Sequence, residues 1–155
     1  MVLRLAIGWD HAGMDLAHQL MMAFPNVFWD YIGHKIPGKS IHYPDVIPFV
    51  LQRVYQGNLG VLICGTGIGI SMAANRYPGI GAALCTDPHM AKMARAHNNA
   101  NILVLPGRLM SKCVATECLS VFLTTPFEQG RHTDRIALFD PILAHSVCKS
   151  PPPSH

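Results

Sequence analysis

The chain has 155 residues, 50% of them hydrophobic and 14% charged, with a formal net charge of +3. This length suits one domain with a real core, and the composition excludes a disordered chain. The charge is mild and scattered, which argues against a nucleic-acid surface and suits a small anionic ligand.

A first strand is expected over residues 3–8, closed by Gly8. This apolar start is too short for a secretory leader, and no run approaches the roughly 18 apolar residues of a membrane span. Leu16, Leu20 and Met21 then give residues 13–24 helical spacing. Residues 26–31 (Asn-Val-Phe-Trp-Asp-Tyr) carry the aromatic and β-branched side chains of a second strand. Residues 33–44 read as a long loop. Val46, Val50 and Val54, four apart, predict a helix over 45–56 with Pro48 in its first turn.

The run Leu59-Gly60-Val61-Leu62-Ile63-Cys64 is continuously apolar, as in a central parallel strand buried on both faces. A glycine-rich turn and a short helix near 71–76 follow. Residues 80–85 read as a fourth strand, and 88–97 as a helix with Asp87 as cap and Pro88 in its first position. A fifth strand is expected over 101–105 and a helix over 111–123 capped by Ser111. Residues 133–147 look helical, with a restart at Asp140-Pro141, and the Pro-rich tail 150–155 is expected to fray. The chain up to residue 149 is therefore one domain. Its alternating strands and helices predict an α/β fold: an open parallel sheet of about five strands, covered by helices on both faces. Ligands in such sheets sit beyond the carboxyl ends of the strands.

Four segments carry candidate chemistry. Cys64-Gly65-Thr66-Gly67-Ile68-Gly69-Ile70-Ser71 ends the third strand, and its glycines let backbone amides approach an anion. It lacks the spacing of the dinucleotide fingerprint. A thiol beside such amides is a candidate base, although a buried Cys is also a common small hydrophobe. Asp10-His11 follows the first strand and can orient and move protons near neutral pH. His97-Asn98-Asn99 ends a helix, where His and Asn also serve as ordinary C-terminal residues. Arg131 and Arg135 fall on one face of a helix, suited to a phosphate or to surface acids, and Arg108 is expected to join them at the same sheet edge. His89 and His97 lie two turns apart with no carboxylate or Cys at ligand spacing, so no metal site is expected. The cysteines (Cys64, Cys85, Cys113, Cys118 and Cys148) are odd in number and lack zinc-like spacing; they read as reduced thiols of a cytoplasmic protein.

In combination these segments resemble the type B ribose-5-phosphate isomerase family, which also holds galactose-6-phosphate isomerase subunits. The matching stretches are Gly8-Trp9-Asp10-His11-Ala12-Gly13, Tyr43-Pro44-Asp45, residues 63–71, Ala73-Ala74-Asn75, His97-Asn98 with Asn101, Gly107-Arg108, and Gly130-Arg131-His132 with Arg135. The resemblance implies a three-layer Rossmann-like fold and no metal or organic cofactor. It also implies a homodimer or dimer of dimers with active sites shared between subunits, and no nucleic-acid or membrane partner. By position it makes Cys64 the base between C1 and C2, and His97 the acid that opens the sugar ring, with Asp10 assisting. Gly65, Thr66, Gly67, Ile68 and Gly69 would face the enediolate oxygens, and Asn98 the sugar hydroxyls. Arg131, Arg135, His11 and Arg108 would hold the phosphate, and Tyr43 would line the ring site.

The chain departs from the family pattern at Trp9, at His42, in loop 33–41 and at Pro106. These positions bear on sugar preference rather than on reaction class. A six-carbon sugar phosphate would use the same residues. A non-catalytic sugar-phosphate-binding domain would need the arginines but not Cys64, Thr66 and His97 together. A cysteine phosphatase would need Arg at position 70, which is Ile.

Overall fold

Five parallel strands form one sheet in the order β2-β1-β3-β5-β4 in the computed structural model, which describes residues 2–33 and 39–139. In chain order the elements are β1 (Arg4–Trp9), α1 (Met14–Ala23), β2 (Phe28–Gly33), a 3₁₀ turn (Tyr43–Val46), α2 (Ile47–Val54), β3 (Leu59–Cys64) and α3 (Ile68–Ala74). They continue with β4 (Ala82–Leu84), α4 (Pro88–Ala96), β5 (Ile102–Pro106), α5 (Lys112–Thr124) and α6 (Arg131–Ile136). The expected open α/β sheet is present, with helices on both faces.

The two-residue period of a strand divides the core in two. Leu5, Ile7 and Trp9 of β1, Val61 and Ile63 of β3, and Leu103 and Leu105 of β5 pack in one cluster with α1, α4 and α5. Ala6, Leu62, Cys64, Ile102 and Val104 point the other way, into a cluster with α2 and α3. β3 lies between β1 and β5 and is buried from Gly60 to Cys64, as its unbroken apolar run requires. The same parity separates Trp9 from Cys64. Trp9 is 1% exposed, stacks on Tyr31 at 6.0 Å and meets His18 edge-on at 5.5 Å. It offers no surface to a ligand. Its ladder partner Gly33 makes room for it, since a Cβ there would strike the indole.

The helix caps follow the local signals. Asp87 accepts from the Met90 amide at 2.9 Å with Pro88 at the helix start, and Ser111 accepts from the Val114 amide at 3.3 Å. Pro48 sits in the first turn of α2, but the expected helix over 45–56 divides into the 3₁₀ turn and α2. β2 begins two residues later than expected, because the Val27 amide turns back to the Phe24 carbonyl at 3.1 Å. α3 begins at Ile68 rather than near Ser71. Gly67 takes a left-handed φ of 74° and makes the whole turn itself. The expected restart at Asp140-Pro141, the tail 150–155 and Cys148 lie outside the described residues. Among the described residues, no helix is long and apolar enough to cross a membrane.

Candidate active site

The predicted site residues fall into two clusters at opposite edges of the sheet. The first lies at the carboxyl ends of β1, β3 and β5, which backbone bonds lace together. The Asp10 amide donates to the Ile63 carbonyl at 3.3 Å, the Gly107 amide to Cys64 at 2.8 Å, and the Arg108 amide to Gly65 at 3.0 Å. Cys64 is 5% exposed at the end of β3. Above it the glycine turn is crowded by two side chains. A Cβ on Gly65 would lie 3.2 Å from Arg108 Nη1, and one on Gly69 would lie 2.5 Å from the Tyr43 hydroxyl. Arg108 and Tyr43 therefore close over the turn. Thr66 is exposed, with its Oγ1 3.4 Å from the Ile68 amide that donates to it. Asp10 is buried, and its Oδ1 accepts from the amides of Ala12 at 2.9 Å and Gly13 at 3.1 Å. His11 is exposed, with Nδ1 3.5 Å from the Ser40 hydroxyl.

The second cluster lies at the amino ends of the strands. α4 leaves the carboxyl end of β4 and runs back to Asn101, whose carbonyl accepts from Gly60 at the start of β3. His97, the C-terminal cap of α4, is thus a full strand away from Cys64. β5 spans five residues, and at ~3.3 Å per residue the two edges stand about 15 Å apart. α5 makes the same return and delivers residues 125–130 and α6 to this edge, where the Glu128 amide donates to the Ala96 carbonyl at 2.9 Å. The rings of His97 and His132 stack at 4.3 Å with 10° between their planes. Glu128 Oε2 lies 3.5 Å from His97 Nε2 and 3.7 Å from His132 Nε2. Arg131 and Arg135 are exposed on α6, four apart. A cavity of about 560 Å³ opens here, lined by Asn75, Tyr77, Asn98, Asn101 and Phe139 among others, and none of the carboxyl-edge site residues reaches it.

The expectation that Arg108 shares an edge with Arg131 and Arg135 is therefore wrong within one chain. Helices that follow parallel strands run antiparallel to them, so whatever lies past the end of α4 or α5 returns to the amino edge. Among the described residues the buried polar or charged side chains are Asp10 and His132, one in each cluster. Such groups are rarely buried without a task. Glu128 was not among the candidates from sequence. Its one signal is its place four residues before His132, on a stretch with no helical pattern.

The comparisons with known proteins decide what this arrangement belongs to. Residues 5–139 match the family model described as Ribose/Galactose Isomerase. The chain belongs to the ribose/galactose isomerase family. It is an aldose–ketose isomerase by that membership. It is similar to a putative sugar phosphate isomerase of Bacillus subtilis, 38% identical over 138 residues that cover 86% of this chain and 93% of the relative. It is also similar to ribose-5-phosphate isomerase B of Escherichia coli, 33% identical over 136 residues that cover 86% and 91%. The crystal structure of a ribose 5-phosphate isomerase from Thermotoga maritima superimposes with a TM-score of 0.86 at 42% identity, covering 91% of this chain and 99% of that one. The ribose/galactose isomerase match takes in both edges, from before Asp10 to beyond Arg135.

The remaining described cysteines divide by burial. Burial pushes the Cys85 thiol up to about 12, with Cys118 and Asp87 adding to it, and the thiol donates to the Ala83 carbonyl at 3.6 Å. Cys118 is pushed up to about 11, again chiefly by burial. Both stay protonated in the folded protein where an unfolded thiol ionises, so their contribution to stability is lost as pH rises above the ordinary thiol range. Cys113 is exposed. Iodoacetamide at pH 8.5 is expected to label Cys113 in the native protein and to reach Cys85 and Cys118 only on unfolding, as peptide mass spectrometry will report.

Proposed function

We propose that this isomerase interconverts ribose 5-phosphate and ribulose 5-phosphate, and that each active site is built from two copies of the chain. The observation that carries the second point is the distance between Cys64 and His97. A five-carbon sugar phosphate is shorter than the strand length between them. Two copies related by a two-fold axis can set the carboxyl edge of one against the amino edge of the other, producing two equivalent sites. The names of the Escherichia coli and Thermotoga maritima relatives support the substrate.

In this reading the phosphate is held by Arg131 and Arg135 of one copy, with His11 and Arg108 of the other. Guanidinium forks suit such an anion, and their binding energy positions the reacting carbons. His97 gives a proton to the ring oxygen as the C1 hydroxyl loses one, with Asp10 assisting, and the furanose opens to the aldehyde. Asn98 binds sugar hydroxyls, and Tyr43 lines the ring site. The Cys64 thiolate then takes the proton from C2. The charge that develops on the C1 oxygen meets the amides of Gly65, Gly67, Ile68 and Gly69 and the Thr66 hydroxyl. Transfer of a proton from the C2 oxygen to the C1 oxygen, and return of the Cys64 proton to C1, completes the ketose.

The test is turnover. Purified protein without added metal is expected to convert ribose 5-phosphate to ribulose 5-phosphate faster than it converts allose or galactose 6-phosphate. A reversed order of specificity would assign it a six-carbon substrate instead.

A further inference from the structure

We infer that Glu128 is a positioning residue for ring opening: its carboxylate, set beside the Nε2 edges of two stacked imidazoles, holds His97 in the orientation that reaches the sugar oxygen. The inference rests on the proposed role of His97 and adds a residue to which no role has been given. Glu128 is placed by backbone rather than by chance, because its amide is bonded to the last turn of α4. The next residue, Gln129, takes a left-handed φ of 58°, and Gly130 follows at 57°. A non-glycine residue in that region is held there by its surroundings. The sharp turn brings His132 back under the Glu128 carboxylate.

The two histidines are not equivalent. His132 is buried, whereas the His97 side chain is 37% exposed and free to meet a ligand. Burial, then His97 and Arg131, and less so Arg135, push the His132 pKa below the ordinary imidazole range, while Glu128 opposes them. A neutral His132 is a flat support for the His97 ring and leaves the charge of Glu128 to His97. The separations of 3.5 and 3.7 Å are ion-pair rather than hydrogen-bond distances. Catalytic contacts of this kind often tighten only around substrate.

On distance alone the same three groups could hold a cation, since their ligand atoms lie within 4.8 Å of one another. The ring planes argue against it. An imidazole lone pair lies in the plane of its ring, and rings stacked within 10° of parallel with centroids 4.3 Å apart keep their lone pairs in two separate planes. One ion cannot lie on both. Charge attraction between the Glu128 carboxylate and an imidazolium, at these ion-pair distances, is far less directional than a metal–nitrogen bond.

The chemistry of the two substrates separates ring opening from proton transfer. Ribose 5-phosphate is mainly a closed furanose. Ribulose 5-phosphate is open, because its O5 carries the phosphate and cannot close on C2. Enzyme-catalysed exchange of its C1 hydrogen with deuterium oxide therefore needs the base but not the ring opener. We expect Glu128→Gln to lower kcat for ribose 5-phosphate by up to ~100-fold, with deuterium exchange within about twofold of wild type because the base is untouched. Glu128→Asp, which keeps the charge, should recover part of the loss, and His97→Asn should show the same split more strongly. Glu128→Gln with wild-type isomerisation, or with both rates lowered together, would overturn the inference. His97→Asn without the split would overturn the reading beneath it, and the inference with it; a split in His97→Asn alone removes only the role of Glu128.

Discussion

Cys64→Ala is expected to lose isomerisation of ribose 5-phosphate and deuterium exchange into ribulose 5-phosphate alike. Removal of a general base typically costs 10²- to 10⁴-fold, roughly 3–5 kcal/mol of transition-state stabilisation. The fold should survive. Cys64 ends β3 inside the α2 and α3 cluster, at 5% exposure, and alanine keeps its Cβ there. Loss of one buried sulfur should cost about 1–2 kcal/mol of stability, visible as a modest drop in Tm. Steady-state kinetics and a thermal melt on the same sample separate the two effects. Turnover within a few-fold of wild type would remove Cys64 from the mechanism and turn attention to another base at the carboxyl edge.

Mixing Cys64→Ala with His97→Asn is expected to restore activity that neither variant has alone. If each site takes Cys64 from one copy and His97 from the other, a mixed dimer contains one doubly altered site and one intact site. Random assortment makes half the dimers mixed, so about one quarter of wild-type sites return. Co-expression, or unfolding and refolding of an equimolar mixture, followed by an assay with ribose 5-phosphate, checks this. A site contained within one chain gives no recovery at any ratio. The expected gain is large because each variant alone starts near zero, and the recovered fraction is set by symmetry rather than by rate constants.

Much of this protein follows from local pattern. The unbroken apolar run to Cys64 identifies a central strand, since only a strand covered on both faces can bury every residue. Asp87-Pro88 and Ser111 mark helix starts, because a capping side chain satisfies amides that the helix leaves open. Where local reading failed, a single residue had absorbed a turn: Gly67 at a positive φ moved the start of α3, and Val27 folding back on Phe24 delayed β2. Asp10, Cys64, His97, Arg108, Arg131 and Arg135 could be singled out as candidates in the same way, each near the end of an element and each with a chemistry of its own.

Their arrangement in space was not legible. A pattern of strands and helices says that ligands gather beyond the strand ends, but not which residues return to the opposite edge. That depends on the lengths of α4 and α5, which carry the chain back along the sheet and leave His97, Arg131 and Arg135 about a strand length from Cys64. The stack of His97 on His132 with Glu128 beside it depends on a turn at Gln129-Gly130 that has no periodic signature. Sequence by itself determined which elements form and which side chains can do chemistry, because caps, apolar runs and glycine turns act over a few residues. Tertiary structure alone decided which of those side chains meet, because the antiparallel return of each helix is a property of packing across the whole sheet.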